Sequence, residues 1–323
     1  MIELLLASFL TFIELNCENL FDTQHDTLKN DYEFLPNGDY HWTRTRYWRK
    51  LDHIGQEIIA LGEDSTHQWH LPDFAILCEV ENDSVMRDLS KRSLLRHAKY
   101  EYFITHSPDQ RGIDVALLYN PYAFLPIRHF SFRIHPSPDM RPTRDILYVS
   151  GRLNNGDTLH LFGIHAPSRM GGERASRPHR LLVEEKLAEA IDSIRIRTPE
   201  AKIIIAGDFN DYKDSPVLKK LYALGLINIS KEAKGKNGAK GTYRFRGEWG
   251  SLDHILCSRS VAESLMDCHI GDLKFVLEPD EKYGGVKPFR TYRGPAYQPG
   301  YSDHLPLIAR FKAGEQKEET ILH

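Results

Sequence analysis

Ile203-Ile204-Ile205-Ala206-Gly207-Asp208-Phe209-Asn210-Asp211 decides how this chain is read. Three β-branched residues and an alanine form a short apolar run, bounded by Gly207. A run of that length closed by a turn signal predicts a fully buried strand. Alternation puts Asp208 and Asn210 on one side of an extended backbone. A rigid strand therefore delivers a carboxylate and an amide, two residues apart, to the edge of a sheet, where a site can be held stiffly. The plainer alternative is an Asp/Asn turn closing a strand.

The 323 residues are 41% hydrophobic and 27% charged, with a formal net charge of −3. This is an ordinary globular composition with ample core material. No global basic field points to nucleic acid. Locally, residues 141–180 hold Arg141, Arg144, Arg152, Arg169, Arg174, Arg177 and Arg180 against only Asp145, Asp157 and Glu173. Seven positive less three negative charges leave an excess of +4, and arginine suits phosphate. Cysteines at 17, 78, 257 and 268 lack metal-type spacing and read as reduced, small hydrophobes. They favour a cytoplasmic protein. Residues 1–13 are too short to span a bilayer and carry no basic start. They read as the approach to a first strand, with the remnant of an export signal as the alternative.

Outward from 203–211, the same pattern recurs. Phe12–Cys17 predicts a strand ending at Asn16, and Asp73–Val80 one ending in Glu79. Gly112–Tyr119 predicts a strand with Asp114 inside it, and Thr158–His165 one ending in His165. Ser251–Cys257 carries Asp253, and Tyr301–Ile308 predicts a last strand carrying Asp303 and His304. Helical spacing is read in 47–61, 83–97, 173–196 and from Pro216. No linker or repeat divides the chain. The expectation is one α/β domain over 1–313 with a polar tail at 314–323, and a monomer with no protein partner evident.

Asn16, Glu79, His165, Asp208, Asn210, Asp253, Asp303 and His304 all follow or sit within apolar strands. Singly, each has a structural reading as a turn former, a cap or a core histidine. Together they are harder to explain that way, because ionisable groups there are costly unless used or paired. Carboxylate and amide oxygens without thiolates suit a hard cation such as Mg²⁺ or Mn²⁺. Two histidines add acid–base capacity.

These motifs resemble the endonuclease/exonuclease/phosphatase superfamily, the group of deoxyribonuclease I, abasic-site endonucleases, sphingomyelinases and inositol-phosphate 5-phosphatases. Asn16-Cys-Glu-Asn, the strand ending in Glu79, His165-Ala-Pro-Ser, Gly207-Asp-Phe-Asn, Ser251-Leu-Asp-His and Ser302-Asp-His-Leu-Pro stand in the family's order over residues 16–306. The resemblance implies a four-layer αββα sandwich of two mixed β-sheets flanked by helices, a divalent metal, and phosphoester hydrolysis. It implies Glu79 as principal metal ligand, with Asn16 and Asp303 nearby. Asp208 would position or deprotonate the attacking water, and Asn210 would contact the phosphate. His304 would face the phosphate, oriented by Asp253. His165 would stabilise the phosphate or protonate the leaving oxygen, and Asp114 is taken as its partner. His254 points to the opposite face and is left out.

For substrate, the arginine run favours a nuclease, with Arg144 and Arg169 on phosphate. The segment 39–50 interleaves arginines with Trp42, Tyr47 and Trp48, which would stack bases or else pack a helix onto the sheet. A phosphatase or phosphodiesterase for lipid head groups, inositol phosphates or other small phosphoesters is the alternative. A binding protein on an inactive enzyme fold would lack a catalytic position, and none is missing.

Overall fold

Branched residues at 203–206 suit a pleated surface covered on both sides. In the computed structural model, which describes residues 9–63, 68–138, 140–169 and 171–312, Lys202–Asp208 is a strand buried from Ile203 onward. Ile203 and Ile205 face helices, while Ile204 and Ala206 face a second sheet. That double coverage explains why the run is continuously apolar rather than alternating.

The chain runs β1 (Phe9–Leu20), α1 (Arg44–Ala60), β2 (Phe74–Val80), α2 (Asp83–Lys91), β3 (Glu101–Ile104), β4 (Asp114–Tyr119), β5 (Phe124–Phe132), β6 (Ile146–Leu153) and β7 (Thr158–His165). It continues through α3 (Glu173–Arg195), β8 (Lys202–Asp208), α4 (Pro216–Ala223), β9 (Ile227–Asn228), β10 (Tyr243–Phe245), β11 (Glu248–Gly250), β12 (Asp253–Cys257), α5 (Arg259–Ala262) and β13 (Leu265–Ile270). Two small ribbons, β14 (Leu277–Pro279) with β15 (Val286–Pro288) and β16 (Tyr292–Arg293) with β17 (Ala296–Tyr297), precede β18 (Leu307–Lys312).

One sheet has the order β13-β18-β1-β2-β4-β3, the other β5-β6-β7-β8-β12-β9. Both are mixed: β1 and β2 run parallel, as do β7 and β8, beside antiparallel neighbours. Phe12, Ile76, Val115 and Leu117 of the first pack against Leu147, Val149, Leu161, Ile204 and Ile255 of the second. Leu51, Ile54, Val85 and Met86 of α1 and α2 cover the outside of the first sheet. Val183, Leu187, Val217 and Leu218 of α3 and α4 cover the second. The architecture is the four-layer αββα sandwich.

Three elements differ from expectation. The helix read over 83–97 ends at Lys91, because the Ser93 hydroxyl donates to Leu89 O and accepts from Leu95 N, opening a separate 3₁₀ turn at Leu94–His97. The first strand does not stop at Asn16 but continues to Leu20 through a bulge, with Glu18 and Asn19 at φ 48° and 55°. The last strand starts at Leu307, not Tyr301. Ser302 Oγ instead donates to Asn16 O at 2.6 Å and accepts from His304 N at 3.1 Å, so side-chain bonds replace a ladder there. The tail 314–323 and residues 1–8 lie outside the described residues.

Candidate active site

The C-terminal ends of β1, β2, β7 and β8, the start of β12 and the turn before β18 meet at one end of the sandwich. Backbone irregularities aim their side chains. Glu79 sits at φ 61° where β2 slips register against β1 and β4. Such bulges redirect a side chain at the cost of local strain. Asn19 N donates to Glu79 Oε2 at 2.9 Å and holds it there. Gly207 has φ 145°, and a Cβ would stand 1.9 Å from Ile164 O, so only glycine lets β8 reach Asp208 alongside β7.

Asp208 is the centre of the cluster. Its Oδ1 accepts from Asn210 N at 2.7 Å, its Oδ2 from Asn16 Nδ2 at 3.1 Å, and His165 Nε2 stands 3.6 Å from Oδ2. Asn210, at φ 49°, donates Nδ2 to Ala166 O at 3.0 Å. His304 Nδ1 lies 2.8 Å from Asp253 Oδ2, which also accepts from Thr242 Oγ1 at 2.5 Å. Asp303 is bound by Arg290 Nη2 at 3.1 Å. His254 faces away, between Asp211 O and Asn228.

Burial and charge set the protonation states. Burial raises Asp208 to about 7, reinforced by Asp253. Burial opposes charge on His304 too, but Asp253, Asp208 and Asp303 outweigh it and hold its pKa well above the ordinary imidazole value. His165 goes the other way: burial, then Arg144 and Arg111, keep it neutral.

A divalent cation fits this chemistry. Glu18, Glu79, Asp208, Asp253 and Asp303 gather around the His304 imidazolium, Arg111, Arg290 and the buried Lys50. The carboxylates outnumber the cations, and burial followed by neighbouring carboxylates raises Glu18 and Asp208 to about 7, a strain that a bound cation would relieve. The donors are oxygens, as Mg²⁺ and Mn²⁺ require. Asp208, Asp253 and His304 offer ligand atoms within 4.8 Å of one another. Since His304 Nδ1 is already committed to Asp253, we read that trio as an acid–imidazole pair rather than a ligand set. Glu79 and Asp303, less buried, draw Arg111 (3.6 Å) and Arg290 (3.1 Å).

Several expectations are corrected. Asp114 does not partner His165. Its Oδ1 takes Thr105 Oγ1 at 2.5 Å and Ser107 N at 2.9 Å, while His165 Nδ1 is buried with no hydrogen bond. Arg144 is not on a substrate track. It is buried and donates to His165 O at 3.1 Å, Ala166 O at 2.7 Å and Asp109 Oδ2 at 3.1 Å, tying β7's end to the 105–113 loop. Arg180 and Arg177 are likewise spent on Asp211 and Glu173. Arg169 remains partly exposed, its guanidinium over the Tyr212 ring. Trp42 and Tyr47 are core residues rather than base-stacking ones. Sequence reasoning missed Arg111, Arg290 and Glu18. Only Glu18, two residues after Asn16, carried a local signal; the arginines come from loops distant in sequence.

A family described as the endonuclease/exonuclease/phosphatase family matches residues 11–312. A search of curated proteins returns no match. Among solved structures, an endonuclease/exonuclease/phosphatase family protein from Bacteroides thetaiotaomicron superposes with TM-score 0.61 at 16% identity, covering 95% of this chain and 99% of that one. Truncated Caenorhabditis elegans TDP2 gives 0.57 at 17%, covering 94% and 98%. The mannosyl-6-phosphatase Bt3783 of B. thetaiotaomicron VPI-5482 gives 0.60 at 16%, covering 93% and 98%. At these identities the likeness speaks to fold, and the family match covers nearly the whole chain. None of the helices among the described residues is long and apolar enough to cross a membrane. This chain belongs to the endonuclease/exonuclease/phosphatase family.

Proposed function

We propose that the protein is a divalent-metal-dependent hydrolase of compact phosphoesters. The observation that carries this reading is the gathering of Asp208, Asn210, His165 and the Asp253–His304 pair beside a site where carboxylates outnumber cations. A cation held by Glu79, Asn16 and Asp303 would supply Lewis acidity and neutralise charge on the phosphoryl group. Asp208, oriented by Asn16 and Asn210, accepts the proton of the attacking water. His304 spends Nδ1 on Asp253, which leaves Nε2–H to donate to a phosphoryl oxygen. Neutral His165 keeps its proton on Nε2, the nitrogen beside the carboxylates, and serves as a hydrogen-bond donor. That favours the stabilising role for His165 over protonation of the leaving oxygen. Asn210 completes the phosphate contacts.

The compact substrate follows from where the arginines go. Of the residues that favoured a nuclease in the sequence, Arg144, Arg177, Arg180, Trp42 and Tyr47 are engaged within the protein, while Arg141, Arg152 and Arg174 are exposed. The test is a hydrolysis panel with Mg²⁺, Mn²⁺ or excess EDTA, spanning plasmid, single-stranded DNA, RNA, p-nitrophenyl phosphate, bis-p-nitrophenyl phosphate, inositol phosphates and sphingomyelin. Turnover of small esters with weak salt dependence is expected. Preferred cleavage of plasmid, with log K falling by about 0.7–0.9 per phosphate contact against log salt, would restore the nuclease.

A further inference from the structure

The hairpin of β10 and β11 leaves the chain just before Asp253 and stands beside His304. Its residues alternate between two faces. Arg244 and Trp249 are partners across it and share one face. The Arg244 guanidinium lies 5.4 Å over the Trp249 ring and donates to Val286 O and, at 2.8 Å, to Gly284 O. This face is anchored on the 280–286 loop.

The other face carries Tyr243 and Phe245, with Gly250 opposite Tyr243. The Tyr243 ring lies 4.9 Å from the His304 ring. At Gly250 the Tyr212 ring fills the space a side chain would take: a Cβ there would meet Tyr212 Cε1 at 2.7 Å. Tyr212, Tyr243 and Phe245 therefore form a row of rings on one surface, joined to the site at His304. Tyr212 is 47% and Phe245 59% exposed. A cation caps each end, Arg169 at 4.5 Å from the Tyr212 centroid and Arg246 at 5.1 Å from Phe245. Arg169 is itself held by carboxylates, Nη2 at 3.6 Å from Glu173 Oε2 and Nη1 at 3.9 Å from Asp211 Oδ1.

We propose that this row is the leaving-group subsite of the site described above, and that it takes a planar aromatic ring. The proposal rests on the hydrolase reading and names the substrate class for it. Side chains two apart on a strand are about 7 Å apart, roughly twice the 3.4 Å step of stacked bases. A flat ring has the thickness of the gap between Tyr243 and Phe245. Aromatic faces and guanidinium planes both stack on π-systems. Arg246, at the far end of the row, adds a guanidinium plane for the same ring. The substrate class is then a phosphoester whose alcohol carries an aromatic heterocycle, as in a nucleotide.

The experiment compares kcat/KM for adenosine 5′-monophosphate, glycerol 3-phosphate and glucose 6-phosphate, with Mn²⁺, in wild type, Phe245→Ala, Tyr212→Ala and Gly250→Val. Leu125→Ala, on the exposed edge strand β5, is the control. The preference for adenosine monophosphate over glycerol phosphate should fall about tenfold or more in the three hairpin-face variants, chiefly through KM, and stay put in the control. Adenosine monophosphate binding in EDTA, read by quenching of intrinsic fluorescence, should weaken in parallel. Unchanged preference and unchanged binding would overturn the proposal, as would a loss confined to glucose 6-phosphate, which would make the ring a sugar. If wild type hydrolyses no phosphoester yet its nucleotide binding depends on Phe245, the subsite stands and the hydrolase reading falls.

Discussion

His304 Nδ1 and Asp253 Oδ2 are 2.8 Å apart, and that contact crosses from one sheet of the sandwich to the other. Asp253 opens β12 of one sheet, while His304 precedes β18 of the other. The imidazole is therefore oriented from across the interface between the sheets. Asp253→Asn should keep the fold and lose on the order of 10²–10⁴ in kcat, as should His304→Ala. Steady-state kinetics with matched thermal midpoints is the check; a loss under tenfold for both would separate the pair from catalysis.

Glu79→Gln should weaken Mg²⁺ or Mn²⁺ binding at least about tenfold while leaving stability nearly unchanged. The amide keeps the shape that Asn19 N holds at 2.9 Å and removes the charge. Calorimetric titration with the metal alone measures this without any substrate. Equal affinity in the variant, or full wild-type activity in excess EDTA, would contradict the assignment.

Gly207→Ala should destabilise by on the order of 4 kcal/mol or abolish folding. Its Cβ would lie 1.9 Å from Ile164 O within the β7–β8 ladder, at φ 145°. Denaturant midpoints against wild type decide it, and a loss below about 1 kcal/mol would mean the two strands move apart freely.

Glu57 gives stability a pH slope. Fully buried in α1 with no hydrogen bond to either carboxylate oxygen, it is raised by burial to about 8, an effect that Lys50 opposes. In the unfolded chain it ionises near 4.5. The folded state thus holds the extra proton. The stabilisation is complete below about 4.5 and is lost as pH rises towards 8, at up to about 1.4 kcal/mol per unit. Glu57→Gln should flatten the stability curve over this window and be the more stable form at pH 8. Parallel curves would show that the carboxyl finds a partner in solution.

Much of the fold was legible in the sequence, since strands covered on both faces leave continuous apolar runs such as Ile203–Ala206. The strand ends at Glu79, His165 and Asp208 were legible for the same reason: a polar residue closing such a run stands out. The fates of Arg144 and Asp114 were not. Neither adjoins another candidate residue in the sequence, and Arg144 bonds to main-chain oxygens and Asp109, Asp114 to hydroxyls of the preceding turn. Side-chain direction in loops depends on tertiary neighbours, which local pattern does not encode. The cations Arg111 and Arg290 were hidden likewise, since both lie in loops whose side-chain direction is set by tertiary contacts, Arg290 meeting Asp303 13 positions on and Glu18 272 positions back.

The Ser302–Asn16 bond spans 286 positions of sequence. Closing a loop of that length costs entropy that only the completed β1–β18 ladder offsets. Topologies ruled by such distant pairings fold slowly. Asn16, Asp303 and His304 come into register in that same closing step. A half-folded chain of this protein has its first strand and its His304 imidazole apart, so assembly of the candidate site and final cohesion of the sandwich arrive together. Refolding followed by activity and by far-ultraviolet signal should show secondary structure recovering first and any hydrolytic activity only with the slower closure of the sandwich.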